Sequence, residues 1–126
     1  MTSDKSDQQN PLSKNFLGKN FYVVVTTPTA PREKLEPLIP AHLANQVRLE
    51  KEGIMFAAGP LSKEDGTRYG GMFVLRANSF EEARAIADAD PLHKAGLRSY
   101  TLMRWTVNEG SYAVRVNYSD QSVTIE

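Results

Sequence analysis

The order of elements along this chain predicts an α+β fold: a split, ferredoxin-like β-α-β-β-α-β arrangement with one extra strand at the C-terminal end. Three observations carry that reading. A compact β-branched and aromatic run occupies residues 21–26, and apolar residues recur at helical spacing across residues 32–52. A pair of strand runs then flanks Asp65-Gly66 and leads into a helix signalled at Ser79.

Each element follows from its own residues. Residues 1–18 are rich in Ser, Asp, Lys, Gln and Asn and are expected to form a flexible tail, leaving residues 19–126 as a single domain. The first strand, 21–26, is closed by Pro28. In the first helical segment Leu35, Ile39, Leu43 and Gln46 share one side, with His42 and Leu49 at its edge. Pro40 should end a short first turn and serve as N1 of the main helix, and Gly53 should be the C′ residue that closes it. Residues 54–58 form a second strand, which Gly59-Pro60 is expected to stop. A polar turn centred on Asp65-Gly66 precedes the third strand, 72–77.

Ser79 and Glu82 form a capping box, and Phe80, Ala83, Ile86 and Ala87 supply the buried stripe of the second helix. Asp90-Pro91 ends that helix, because a residue before proline disfavours the α conformation. Residues 98–107 form a fourth strand and 112–118 a fifth, with a short edge at 122–125. Right-handed crossovers place both helices on one face of the sheet. Both sides of the first strand are nonetheless apolar, so the bare face needs a cover, and a second copy of the chain supplies it: a homodimer is expected.

Composition narrows the function classes. Lys+Arg and Asp+Glu each number 15 in 126 residues, and this balance removes the broad attraction that drives binding to nucleic acid or anionic membranes. With no cysteine, thiolate-metal and cysteine-nucleophile chemistry are excluded. No apolar run resembles a signal peptide or a bilayer span, so a cytoplasmic protein is expected. There is no GxGxxG or P-loop pattern, and His42, His93 and Asp90 come from segments without metal-ligand spacing; no cofactor and no metal are expected.

A set of short motifs, in order, resembles one family. They are His42-Leu43, Ala58-Gly59-Pro60-Leu61, Asp65-Gly66, Gly70-Gly71-Met72-Phe73, Ser79-Phe80-Glu81-Glu82-Ala83, Asp90-Pro91-Leu92, Ala95-Gly96-Leu97 and Arg104-Trp105. Together they are similar to the YciI-like (YCII-related) family of dimeric α+β barrels, over roughly residues 20–107. The resemblance implies a dimeric barrel with a site built around a histidine and an aspartate, matching His42 and Asp90. It also implies kinship with muconolactone isomerases, small monooxygenases and dehalogenating enzymes of aromatic catabolism. The N-terminal tail, Pro40 and the strand after Gly110 depart from the family pattern.

Candidate residues follow. His42 is a general acid or base for proton abstraction or elimination, or else a structural histidine completing the core. Asp90 would orient the imidazole, or else simply end a helix. Gly59 and Pro60 offer a backbone wall to a substrate, with a strand-terminating turn as the alternative. Tyr22 and Trp105 would line a flat apolar pocket, or else serve as core or interface. Arg68, Arg76, Arg98 and Arg104 are candidates to hold a substrate carboxylate, and Arg104 is preferred because its neighbours match the family. His93 is expected to be a solvent-exposed loop residue. The favoured function is a small cofactor-independent enzyme that transfers a proton in a cyclic or aromatic acid, by isomerisation, lactone chemistry or elimination. A non-catalytic ligand-binding or accessory protein is the alternative. An RNA-binding module is disfavoured, because Met72 stands where an RNP1-like strand would carry a stacking aromatic.

Overall fold

The computed structural model describes residues 14–125, in which residues 20–106 form one compact unit and residues 14–19 and 107–125 belong to a second. The expected flexible tail, residues 1–18, lies mostly outside the described residues.

In the larger unit the strands are β1 (Lys19–Pro28), β2 (Met55–Ser62), β3 (Arg68–Leu75) and β4 (Arg98–Val107), ordered β2-β3-β1-β4 in one sheet. β3 runs antiparallel to both β1 and β2, with Tyr22 opposite Leu75, Val24 opposite Phe73 and Thr26 opposite Gly71. Between β1 and β2 lie α1 (Arg32–Leu35), a 3-10 turn (Glu36–Leu38) and α2 (Ile39–Lys51). Between β3 and β4 lie α3 (Phe80–Asp88) and α4 (Pro91–Lys94). The α+β class and the split β-α-β-β-α-β order are therefore those expected.

Strand alternation divides the sheet into two faces. On one, Tyr22 and Val24 of β1 and Phe73 and Leu75 of β3 pack with Leu49 of α2 and with Ala83 and Ala87 of α3. The two alanines have no exposed surface, so α3 approaches the sheet closely. On the other face Phe21 lies with its ring centroid 4.6 Å from Phe56 and 6.2 Å from Trp105. Phe56, Met72, Met103 and Trp105 remain exposed there.

Several local expectations are corrected. Gly59-Pro60 does not stop β2; the strand continues to Ser62, with Pro60 opposite Gly71. Proline is tolerated because β2 is an edge strand, where a missing N–H costs no ladder bond. Pro40 is the second residue of α2, and α1 and the 3-10 turn precede it as separate short pieces. Gly53, at φ 78°, does take the left-handed C′ position.

The capping box at α3 has one altered arm. Ser79 Oγ accepts from the Glu82 N–H at 3.1 Å, but the Glu82 carboxylate accepts from Asn78 N–H rather than from Ser79. Phe80, expected in the buried stripe, is partly exposed and meets Tyr22 edge to face at 5.0 Å. In the second unit the fifth strand is only β5 (Val114–Val116), which pairs antiparallel with β6 (Val123–Ile125) in a sheet of their own. Tyr112 and Tyr118, expected within the fifth strand, fall outside its paired residues.

Candidate active site

A turn of sequence that ends one helix and starts the next positions the central carboxylate. Asp90 caps α4: its Oδ1 accepts the Leu92 N–H at 2.9 Å, satisfying one of the orphan donors of a helix start. With its backbone fixed in this way, Asp90 is only 2% exposed, and its second oxygen points away from α4. That oxygen, Oδ2, accepts from His42 Nδ1 at 2.7 Å. His42 is delivered by the first turn of α2, forty-eight positions away. Burial pushes the Asp90 carboxyl up, but the His42 hydrogen bond, the Leu92 N–H and the charges of His42 and His93 outweigh it. The net position is below the ordinary aspartate range.

A carboxylate only accepts, so the bond requires the proton to sit on Nδ1. Nε2 of the neutral ring is then a lone-pair acceptor, and among the described residues it has no protein partner. His42 lines a cavity of about 620 Å³, within the range typical of small-molecule sites. Its floor is the sheet at Ala58, Gly59, Pro60 and Gly71, and its roof is Leu35, Ile39 and Leu43. The apolar stripe of α2, expected in the core, thus faces the cavity instead; Leu43 is 53% exposed while Leu49 is buried.

The arginines sort differently from expectation. Arg68 and Arg98 line the cavity; Arg104 does not, and is exposed. Arg104 lies six positions beyond Arg98 on β4, about 20 Å along the strand at ~3.3 Å per residue. Arg98 Nη1 donates to the Thr26 carbonyl at 3.4 Å, a long bond, and its Nε is buried without a partner. Burial lowers the Arg98 pKa, the Asp90 charge opposes this, and Arg68 adds to the lowering. Among the described residues neither Arg68 nor Arg98 forms an ion pair within 4 Å.

Tyr22 and Trp105 also fall outside the cavity. Tyr22 is fully buried in the core, four positions along β1 from the cavity-lining Thr26. Trp105 alternates onto the opposite face of the sheet, beside Phe21. Gly59 and Pro60 do line the cavity, as strand residues rather than as a turn.

His93 is not a solvent-exposed loop residue. It sits half-buried on α4, with Nδ1 donating to the Ala87 carbonyl at 2.7 Å and Nε2 bonded to Thr26 Oγ1 at 2.7 Å. Its ring lies 4.8 Å from that of Tyr100. A carbonyl cannot donate, so the neutral His93 also carries its proton on Nδ1 and accepts from the Thr26 hydroxyl. No group of three or more His, Asp or Glu side chains that could hold a metal converges among the described residues.

Gly71 was not singled out as a site residue, yet it sets the cavity floor. The only available signal was the doubled glycine in a strand, which marks close backbone approach.

Comparison with known proteins follows this geometry. The sequence profile of the YCII-related domain matches residues 20–106. Among solved structures, 5-chloro-2-hydroxyhydroquinone dehydrochlorinase (TftG) from Burkholderia phenoliruptrix AC1100, in complex with 2,5-dihydroxybenzoquinone, is similar in fold. It shares 22% identity with a TM-score of 0.54, covering 68% of this chain and 92% of that one. No curated protein sequence matches the chain at a significant level. Among the described residues no helix is long and apolar enough to cross a membrane.

Proposed function

Because the chain belongs to the YCII-related domain family, we propose that it is a small cofactor-independent enzyme that moves a proton within a cyclic or aromatic acid. One observation carries the proposal: the 2.7 Å His42 Nδ1–Asp90 Oδ2 bond, which leaves Nε2 of a cavity-lining imidazole as the acceptor. Nε2 takes a proton from a C–H or O–H made acidic by a neighbouring carbonyl. Asp90 stabilises the resulting imidazolium and holds its tautomer without taking the proton itself. Return of the proton to a different atom of the ring system gives isomerisation. If instead the electron pair left on carbon forms a new double bond, an adjacent halide or carboxylate departs with its own bonding pair, giving elimination. The similar TftG structure is that of a dehydrochlorinase bound to a quinone, and this supports testing the elimination branch first.

A homodimer belongs to the same proposal. Phe56, Met72, Met103 and Trp105 stand exposed on the face of the sheet opposite the helices, where a second copy would bury them. Light scattering should give twice the chain mass, and a single-chain mass would remove this part of the proposal.

The chemistry is tested in D2O. The protein is incubated with lactone acids, chlorinated hydroquinones and hydroxybenzoquinones, and deuterium uptake and chloride release are followed by NMR and ion chromatography. Wild type should exchange or turn over at least one compound, and His42→Gln should lower that rate by about 10²- to 10⁴-fold with an unchanged circular dichroism spectrum. A His42→Gln variant of undiminished rate ends the proposal.

A further inference from the structure

We infer that Arg98, assisted by Arg68, holds a carboxylate on the ligand, and that Gly71 keeps open the space in which the ring joined to it lies. This deepens the proposed function and rests on it for the identity of the cavity as the ligand site.

Among the described residues, the guanidinium of Arg98 on the cavity wall is under-satisfied. A guanidinium has five N–H donors; here one makes a 3.4 Å bond to the Thr26 carbonyl, and the Nε–H is buried with no partner. Buried or half-buried cations are ordinarily paired with carboxylates. The nearest carboxylate in charge terms, Asp90, has both oxygens committed, one to His42 and one to the Leu92 N–H. Arg68 brings a second positive charge to the same wall, close enough to act on Arg98. Glu36, the one acidic side chain lining the cavity among the described residues, is turned to Arg32 at 3.2 Å. A cavity with two arginines that make no ion pair among the described residues is suited to receive an anion, and a forked guanidinium matches a carboxylate in particular.

Gly71 limits what can be attached to that carboxylate. A Cβ at this position would meet the Gly59 carbonyl and the Thr26 methyl at 3.6 Å and Arg98 Nη1 at 4.0 Å. These are ordinary contacts, so Gly71→Ala leaves the strand undisturbed while placing a methyl group beside the guanidinium. Ile39 and Leu43 line the same cavity, so the group joined to the carboxylate meets an apolar wall.

Benzoate and its neutral isostere benzamide are the probes, with affinities measured by calorimetry or by NMR titration of the full chain. Wild type should bind benzoate at least about tenfold more tightly than benzamide. Arg98→Gln should weaken benzoate by about 10- to 100-fold and leave benzamide unchanged, since one charge-assisted, forked contact is lost. Arg98→Lys should be intermediate, because it keeps the charge without the fork. Should Arg98→Gln fail to fold, Gly71→Ala carries the test: it should weaken benzoate by about tenfold while matching the wild-type melting temperature. The inference is overturned if benzoate does not bind, if benzamide binds equally well, or if Arg98→Gln or Gly71→Ala retains full benzoate affinity. Benzoate binding that depends on Arg98, in a protein without proton-transfer activity, would uphold the clamp and remove the enzyme reading alone.

Discussion

Replacing Asp90 by Asn should reverse the polarity of the His42 ring. The Oδ1 position must remain an acceptor, because the Leu92 N–H points at it from 2.9 Å. An asparagine has one acceptor oxygen, so its NH2 is turned toward His42 Nδ1, which is 2.7 Å from the present Oδ2. Two donors cannot face each other, and the ring must shift its proton to Nε2. The lone pair that faced the cavity is then lost.

The stability cost can be worked from the same two bonds. The helix cap survives, since Asn caps about as well as Asp. One charge-assisted hydrogen bond is exchanged for a neutral one, costing about 1 kcal/mol. For a chain of this length that lowers the melting temperature by about 4 °C. Asp90→Ala should cost about 2 kcal/mol more, because the cap and the remaining bond to His42 both go.

The difference between wild type and Asp90→Asn should also depend on pH. Asp90 titrates below its ordinary value in the folded protein. Its contribution is therefore fully present above the unfolded aspartate pKa of about 3.9 and is lost as pH falls through the lower folded value. Long-range ¹⁵N spectra of the neutral ring report which nitrogen is protonated, and thermal melts at pH 7 and pH 3 report the rest. An Asp90→Asn protein that keeps its proton on Nδ1, or melts with wild type at pH 7, would refute the reasoning.

Two further predictions concern the wall around this pair. His93→Leu leaves the buried Thr26 hydroxyl without its 2.7 Å partner and should cost about 2 kcal/mol. Adding Thr26→Val should recover part of that loss in denaturant melts, and strictly additive costs would show that the pair is not coupled. Gly70→Ala should be destabilising by about 1–3 kcal/mol, because its Cβ would overlap the Thr26 carbonyl oxygen and approach Thr27 Cγ2 to 3.1 Å. Faster amide exchange across the β1–β3 ladder is expected, and a melt within a degree of wild type would contradict the overlap.

Much of the fold was legible in the chain because its signals are local. Ser79 followed by Glu82, the Asp65-Gly66 turn and the glycine at 53 each act on neighbours within a few residues, and each appears where it was expected. Local signals misled where context overrides them. Gly59-Pro60 reads as a terminator, yet an edge strand has no bond for the missing N–H to break. Leu43 reads as core, yet the stripe it belongs to roofs the cavity.

Residue types and spacing determined the split β-α-β-β-α-β order with helices on one side of the sheet, and named His42, Asp90 and a set of arginines as the chemistry-bearing groups. Only the tertiary structure decided that His42 and Asp90 meet, that Arg98 rather than Arg104 faces the cavity, and that His93 is tied to Thr26. Hydrophobic period and capping are fixed by contacts a few residues apart. Convergence of side chains depends on strand register and on how far along each strand a residue stands, and no short stretch of sequence contains that information.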